Sequence, residues 1–102
     1  MTLSTRMVLQ ALLDASGQEM YGLEICKAAM LPSGTIHPIL ARLERWGWLE
    51  SSWEDIDPVK EGRPRRRYYH LNGTGAVAAR AALDRVENPG IVVLRPGLTG
   101  GA

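Results

Sequence analysis

The stretch Ser33–Trp48, SGTIHPILARLERWGW, restricts the fold of this chain more than any other part of the sequence. Within it Ile36, Leu40 and Leu43 recur at the spacing that places side chains on one face of a helix. An apolar face of this kind needs a core to pack against. The pattern therefore predicts an amphipathic helix over about Gly34–Trp46, packed on a core.

The opposite side of this helix carries short, polar and basic side chains. Such a face fits the DNA major groove, which is wide enough for one helix, although an ordinary amphipathic core helix has the same period. Ser33 is typical of an N-cap, and Gly47 is typical of a residue that ends a helix. Pro38 falls beyond the first turn, so we expect a helix that starts later or a loose first turn.

The rest of the chain divides into short elements separated by Gly, Pro and Asn. After Gly47 the apolar spacing changes from helical to alternating, which indicates a strand. Leu31-Pro32 ends a helix because the residue before a proline avoids the α region. The predicted elements are helices over about Thr5–Ala15 (capped by Ser4), Tyr21–Ala29, Gly34–Trp46 and Gly73–Val86 (capped by Asn72), strands over Trp48–Glu54 and Arg67–Leu71, and a connector, Gln18–Met20, that can pair as a minor strand.

This order predicts a mainly α fold with a small β-hairpin, of the α+β class. Three helices form a helix-turn-helix core, a two-stranded wing follows, and a fourth helix comes after the wing. A chain of 102 residues is expected to form one domain. We place that domain at residues 1–87 and a Gly- and Pro-rich tail at residues 88–102.

The overall charge does not point to a nucleic-acid partner, since 12 Lys and Arg stand against 11 Asp and Glu, a net charge of +1. Local clustering has to carry that argument. Cys26 is the sole cysteine, which excludes an intrachain disulfide and suits a reducing cytoplasm. We read Cys26 as a small apolar residue. No apolar run is long enough to span a membrane and no signal-peptide pattern is present, so we expect a cytoplasmic protein.

The strongest chemical signal lies between the two predicted strands, in KEGRPRRR at residues 60–67. Its five basic residues against Glu61 give a local net charge of +4. Arginine suits phosphate because its planar fork donates two parallel hydrogen bonds, and Gly62 with Pro64 makes a projecting turn. The alternative is a solvated charge run, paired with the nearby acidic residues Glu50, Glu54, Asp55, Asp57 and Glu61.

Catalytic patterns are missing from the sequence. His37 and His70 are the only histidines, and no Cys, Asp or Glu stands at metal-ligand spacing from either. There is no phosphate-binding glycine loop and no serine nucleophile motif. We therefore expect no enzyme activity, no metal and no cofactor. For Trp46, Trp48 and Trp53, packing at the base of the wing and a flat aromatic surface for a ligand or partner subunit both stay open.

Three segments together resemble the PadR family of transcriptional regulators. They are YGLEI at Tyr21–Ile25, SGTIHPILARLERWGWLES at Ser33–Ser51 and GRPRRRYYHLN at Gly62–Asn72, and the resemblance covers about residues 3–86. It implies a winged helix that binds an operator in double-stranded DNA as a homodimer, usually as a repressor. In some members a phenolic or other small hydrophobic effector releases the DNA.

The resemblance also implies which residues meet DNA, with the third helix in the major groove and the wing on the backbone. Where this chain has His37, the family usually has Tyr. The family's C-terminal dimerisation helix is not expected after Val86, because prolines and glycines follow. We then expect the first and fourth helices to form the dimer interface, with Ile91–Leu94 as an added arm. The predicted DNA contacts are Ser33, Thr35, His37, Pro38, Arg42, Lys60, Arg63, Arg65, Arg66 and Arg67.

These inferences combine into a sequence-specific DNA-binding transcriptional regulator, a repressor, with the third helix in the major groove. The Arg-rich wing would meet the phosphate backbone or the minor groove. The alternative is a winged helix that binds protein, as an adaptor or as an inhibitor of another regulator, without DNA affinity of its own. The near-neutral charge keeps that alternative open.

Overall fold

The computed structural model describes residues 1–87, with side chains through residue 85. The predicted tail, including the arm Ile91–Leu94, lies outside the described residues. The elements in chain order are α1 (Leu3–Asp14), β1 (Met20–Tyr21), α2 (Gly22–Ala29), α3 (Ser33–Arg45), β2 (Leu49–Trp53), α4 (Pro58–Glu61), β3 (Arg67–Leu71) and α5 (Gly73–Glu87).

The hydrophobic core lies where α1, α2, α3 and α5 meet one face of the sheet. The apolar stripe predicted for the third helix is buried, since Ile36, Leu40 and Leu43 are each at most 1% exposed. Burying a side chain of this size contributes roughly 1.5–3 kcal/mol to folding. Ala79 and Leu83 bring α5 into the same core. This packing fixes α3 and leaves its opposite face at the surface.

The sheet is antiparallel in the order β1-β3-β2. Leu49 pairs with Leu71 and Ser51 pairs with Tyr69, so these residues share the face that meets the core. The predicted strand Arg67–Leu71 is confirmed, and the minor strand expected near Met20 forms as β1. The winged helix predicted from the sequence is thus the observed fold.

Two predicted N-caps were wrong, and in both cases the helix begins earlier. Thr2, rather than Ser4, caps α1, and its hydroxyl accepts a hydrogen bond from the Thr5 N–H at 3.2 Å. The N-cap position of α3 is Pro32, so Ser33 is the first helical residue. Pro38 then lies inside α3, where it cannot donate to the Gly34 carbonyl. Gly34 is exposed, so water can satisfy that carbonyl.

The end of α3 follows the prediction that Gly47 stops the helix. Gly47 has φ +80°, a left-handed conformation that costs glycine nothing. The Gly47 N–H donates to the Glu44 carbonyl at 3.0 Å, and the Trp48 N–H donates to the Leu43 carbonyl at 3.1 Å. These two bonds form a Schellman motif, which turns the chain directly from α3 into the first strand of the wing.

The two prolines and the glycine between β2 and β3 predict a loop, but the structure shows that the centre of this segment is helical. It contains the short helix α4, because Asp57 caps the Val59 N–H at 3.0 Å and Pro58 stands in the first turn. Gly62, with φ +69°, ends α4. Asp-Pro followed by Gly is itself a helix start and stop signal, so this turn could have been found from the sequence.

The helix after the wing begins where the sequence predicts. Asn72 caps α5 by accepting a hydrogen bond from the Gly75 N–H at 2.7 Å. A Cβ at Gly75 would lie 2.1 Å from the Trp48 carbonyl oxygen, so only glycine allows α5 to approach the start of the wing this closely. Over residues 1–87, none of the helices is long and apolar enough to cross a membrane.

Candidate nucleic-acid interface

The exposed face of α3 carries the helix residues predicted to contact DNA. Ser33, His37 and Pro38 are exposed, whereas Thr35 and Arg42 are half-buried. Successive residues are rotated by about 100° around the helix axis. Thr35 and Arg42 therefore lie on one flank of this face, His37 lies on the other, and Pro38 lies between them.

Two further α3 residues occupy the centre of the same face but are not among the predicted contacts. Ala41 and Arg45 are exposed and follow Pro38 along the helix surface. The small apolar surface of Pro38 and Ala41 suits a thymine methyl group, and an arginine suits guanine or phosphate. This face thus presents both apolar and cationic groups to a groove.

His37 connects α3 to the beginning of α2. Gly22, the first residue of α2, lies so near that a Cβ there would be 3.4 Å from the His37 Cε1 atom. The preceding residue, Tyr21, has its backbone N–H bonded to the Glu24 carboxylate at 3.0 Å, which fixes the start of α2. The imidazole is therefore held against the backbone of a second helix.

Tyr21 in turn connects α2 to the wing. Its ring meets the Tyr68 ring edge-on, with 5.8 Å between the centroids. The guanidinium carbon of Arg66 lies 4.4 Å from the centroid of the Tyr21 ring, a cation–π contact. His37 of α3 and Arg66 of the wing thus lie against two adjacent residues, Gly22 and Tyr21, at the start of α2. Sequence reasoning did not assign Tyr21 or Gly22 to the site, because these contacts join residues far apart in the chain.

The predicted wing residues differ in what they contact. Arg63 donates from both Nη atoms to the Glu54 carboxylate, at 2.7 and 2.8 Å. Arg65 is exposed and donates from Nε to the Ile56 carbonyl at 3.0 Å, which leaves its two Nη atoms at the surface. Lys60 is exposed on α4. Lys60 and Arg65 are therefore presented to solvent, whereas the guanidinium of Arg63 is occupied.

The ion pair between Arg63 and Glu54 changes the titration of both groups. The hydrogen bonds from Arg63 lower the pKa of Glu54 to about 2, although partial burial acts in the opposite direction. The same pair raises the pKa of the Arg63 guanidinium. Arg63 and Glu54 therefore both stay charged across the ordinary pH range.

Arg67 lies at the base of the wing, on the sheet face that meets α3. Its Nη2 donates to the Ser51 hydroxyl at 2.8 Å, and that hydroxyl donates to the Glu44 carboxylate of α3 at 2.7 Å. The guanidinium carbon of Arg67 also lies 4.9 Å from the centroid of the Trp53 ring. This chain of contacts fixes the wing against the end of α3.

The three tryptophans do not form one cluster. Trp46 and Trp48 meet edge-on at the turn after α3, with 5.1 Å between ring centroids. Trp53 lies at the far end of β2 and is 61% exposed. It lines an open groove of about 550 Å³ together with Pro58, Pro64 and Arg65. Trp53 is thus an exposed aromatic surface on the wing.

The formal charges of Lys, Arg, Asp and Glu cancel when the whole hairpin is counted. Residues 50–71 contain five Lys and Arg and five Asp and Glu. Glu54 is bound to Arg63 and Glu50 lies 3.5 Å from His70 Nε2, whereas Asp55, Asp57 and Glu61 are exposed. Any attraction to phosphate therefore comes from the local placement of Lys60, Arg65 and Arg66 and not from net charge.

This arrangement of a helix-turn-helix with a basic wing defines the winged-helix class, and solved structures share it. A PadR family transcription regulator from Clostridium difficile R20291 matches with a TM-score of 0.68 at 22% identity, over 89% of this chain and 94% of that one. BpsR of Bordetella bronchiseptica, whose DNA binding is regulated by 6-hydroxynicotinic acid, matches with a TM-score of 0.70 at 18% identity, over 98% and 70%. The PcaV transcriptional regulator of Streptomyces coelicolor, solved with its natural ligand, matches with a TM-score of 0.66 at 25% identity, over 99% and 66%.

The sequence profile of the transcriptional regulator PadR-like family matches residues 8–81. The chain therefore belongs to the PadR-like family, which confirms the resemblance seen in the sequence. A search of curated proteins found no match. The family and these structural neighbours are transcriptional regulators and not enzymes, in agreement with the prediction of no catalysis.

Proposed function

We propose that this DNA-binding regulator is a repressor that places α3 in the major groove and its wing on the flanking phosphates or in the minor groove. The observation that carries the proposal is that His37 of α3 and Arg66 of the wing lie against adjacent residues, Gly22 and Tyr21, which brings the exposed face of α3 close to the wing. A DNA-binding protein reads base edges from a groove and uses phosphate contacts to fix its register on the duplex. A surface that includes both α3 and the wing can make both kinds of contact.

The contacts divide between the two elements. Base contacts come from the α3 residues Ser33, Thr35, His37, Pro38 and Arg42, as predicted from the sequence. Phosphate contacts come from Lys60, Arg65 and Arg66, which lie at the surface of the wing or close to it. Arg67 supports the base of the wing through Ser51 and Trp53.

A homodimer follows from the same reasoning, because a single winged helix offers few base contacts. Two copies would read half-sites about one helical turn, roughly 34 Å, apart. The proposed interface uses α1 and α5, where Leu3 and Val77 are exposed apolar residues of 61% and 69%. Sedimentation should give a dimer at micromolar concentration, and a monomer would remove this part of the proposal.

A small effector is proposed for the cleft between the end of α1 and the start of α5. The cleft measures about 320 Å³, within the range of small-molecule sites. Leu12, Leu13, Leu71 and Ala76 give it an apolar wall, and Arg80 lies at its edge. This lining suits a small hydrophobic compound with one anionic group, which would be tested by its effect on DNA release.

The test is fluorescence anisotropy with a labelled random duplex over a salt titration. Each phosphate contact contributes about 0.9 to the slope of log K against log salt concentration. Lys60→Ala with Arg65→Ala should therefore reduce the slope by roughly 1.8. The control is Lys27→Ala, which removes one positive charge from an exposed residue of α2 that belongs neither to this surface nor to the proposed dimer interface and effector cleft, so the slope should stay unchanged.

A folded wild-type protein that does not bind DNA even at low salt would contradict the proposal. That result would favour the alternative that this winged helix binds a protein. The balanced charge of the hairpin is consistent with that alternative. Repression itself is tested with a reporter under the bound operator. If the protein is a repressor, deleting its gene should raise reporter expression. If it is an activator, the deletion should lower reporter expression.

A further inference from the structure

Glu54 joins the two arms of the wing tip, residues 55–66. Its carboxylate accepts both Nη atoms of Arg63 and also the backbone N–H of Arg66, the latter at 3.2 Å. The backbone N–H of Glu54 donates to the Arg66 carbonyl at 2.8 Å. A single residue at the end of β2 therefore holds the beginning and the end of the returning chain.

The tip between these arms is closed by further polar contacts. The Arg63 N–H donates to the Pro58 carbonyl at 3.2 Å, and Arg65 Nε donates to the Ile56 carbonyl. No residue of α4 is buried, so apolar packing contributes little to the shape of the tip. The direction in which Lys60 and Arg65 point consequently depends on hydrogen bonds and on the ion pair.

We infer that Glu54 and Arg63 are a positioning pair, which fixes the wing tip so that Lys60, Arg65 and Arg66 meet the phosphates, and that Arg63 itself does not contact DNA. The guanidinium of Arg63 donates to both Glu54 carboxylate oxygens and to the Pro64 carbonyl, so its direction is fixed within the tip, and the paired carboxylate offsets its attraction for a phosphate. Breaking that bidentate pair to reach DNA would leave Glu54 facing the anionic backbone. The role of the pair in positioning the tip for DNA rests on the proposed DNA binding. The ion pair itself is present in the structure independently of that proposal.

The competing interpretation is that Glu54 merely masks a phosphate-binding arginine. The two interpretations predict opposite changes in DNA affinity for Glu54→Gln. This substitution keeps the shape of the side chain and removes its charge. If the pair positions the tip, affinity for a random duplex falls by on the order of tenfold and the salt slope becomes shallower, because wing contacts are lost. If Glu54 masks Arg63, affinity rises and the slope steepens by about 0.9.

Glu61→Gln is the matched control for charge. Glu61 is exposed at the end of α4, and its side chain makes no hydrogen bond or salt bridge within the described residues. Glu61 attracts Arg63 electrostatically, but less than Glu54 does, so its removal changes the net charge by the same amount and leaves the bidentate pair in place. We expect affinity to stay the same or rise by less than about threefold. Equal losses in Glu54→Gln and Glu61→Gln would overturn the inference.

A double-mutant cycle separates pairing from contact. Arg63→Gln alone should weaken binding under either interpretation. In the Glu54→Gln background, where the new glutamine can still accept from the Arg66 N–H, Arg63→Gln should cost several-fold less, because Arg63 acts through Glu54. An equal loss in both backgrounds would show that Arg63 acts at the DNA itself and would overturn the inference.

Amide hydrogen exchange tests the pair without DNA. In Glu54→Gln, exchange at the Val59, Arg63 and Arg66 amides should increase, because each is bonded within the tip or to Glu54. Exchange at the paired residues Leu49 and Leu71 should not change. Unchanged exchange in the tip would overturn the positioning role even if the protein binds DNA. If the wild type binds no DNA and exchange in the tip still increases in Glu54→Gln, the proposed function is wrong. The conclusion that the pair holds the tip in place would still stand.

Discussion

The two parts of the candidate interface are held in place by different forces. Helix α3 is fixed by apolar burial, with Ile36, Leu40 and Leu43 almost inaccessible to solvent. The wing tip has no buried residue in α4 and is fixed by the Glu54–Arg63 pair and by backbone hydrogen bonds. Charged contacts respond more strongly to pH and to salt screening than apolar burial does. The element that we propose to read bases is thus fixed by burial, and the element that we propose to meet phosphates depends on solution conditions.

The largest effect is expected from a cavity beneath α3. Leu40→Ala removes a side chain that is 1% exposed and should lower the free energy of unfolding by about 2–5 kcal/mol. Denaturant unfolding measures this loss. Val59→Ala on α4, where the side chain is 88% exposed, is the control and should change stability by less than about 0.5 kcal/mol. Similar losses at both positions would contradict the contrast between the two parts.

The contact between α5 and the start of the wing should show the next largest effect. Gly75→Ala places a methyl group against the Trp48 carbonyl, where the Cβ position is 2.1 Å away, and should destabilise the protein by about 1–3 kcal/mol despite the better helix propensity of alanine. Gly73→Ala meets no atom within 4 Å and should be neutral or slightly stabilising. If thermal melts rank the two variants in the opposite order, this close approach is absent.

The turn from α2 into α3 contains a backbone conformation that can be relieved. Met30 has φ +59° and is 81% exposed, so its side chain gains little from packing while the backbone is strained. Met30→Gly should stabilise the protein by about 1 kcal/mol. Met30→Ala keeps the unfavourable conformation and should give no such gain. Equal melting temperatures for the two variants would contradict the assignment of strain.

The smallest effect on global stability is expected from acid. Because the pKa of Glu54 is lowered to about 2, its contribution is present above the unfolded pKa, near 4.5, and is lost as pH falls through about 2. Amide signals of the wing tip should therefore shift as the pH falls towards 2, and those of α3 should not follow them. A tip transition centred near pH 4.5 would mean that the ion pair does not form in solution.

The same difference in forces explains what could be predicted from the sequence. Burial of one helix face leaves a periodic pattern of apolar residues, so the spacing of Ile36, Leu40 and Leu43 predicted α3. The alternation of side chains along a strand predicted Arg67–Leu71 with the correct ends. Helix starts were harder to predict, because Thr2 and Ser4 are both capping residue types near the start of α1, and α3 begins at Pro32 without a side-chain cap.

The partners of the arginines could not be predicted. Five acidic residues lie near the basic cluster, and only the geometry of the hairpin shows that Glu54 faces Arg63 across it. The contacts of Tyr21 with Tyr68 and Arg66 likewise depend on how β1 pairs with β3. Side-chain pairing between distant segments leaves no period in the sequence, so the joint between α3 and the wing appeared only in the structure.

We propose that α3 supplies the sequence preference and that the wing supplies the salt-dependent affinity. The most direct test selects a binding site from random duplexes and then measures affinity for that site and for a scrambled duplex across a salt series. Arg42→Ala should reduce the ratio of the two affinities by roughly 5- to 150-fold, the range of about 1–3 kcal/mol for one base contact. Lys60→Ala with Arg65→Ala should weaken both affinities alike and flatten the salt slope by roughly 1.8. A wing variant that changes the ratio while leaving the slope intact would contradict the account.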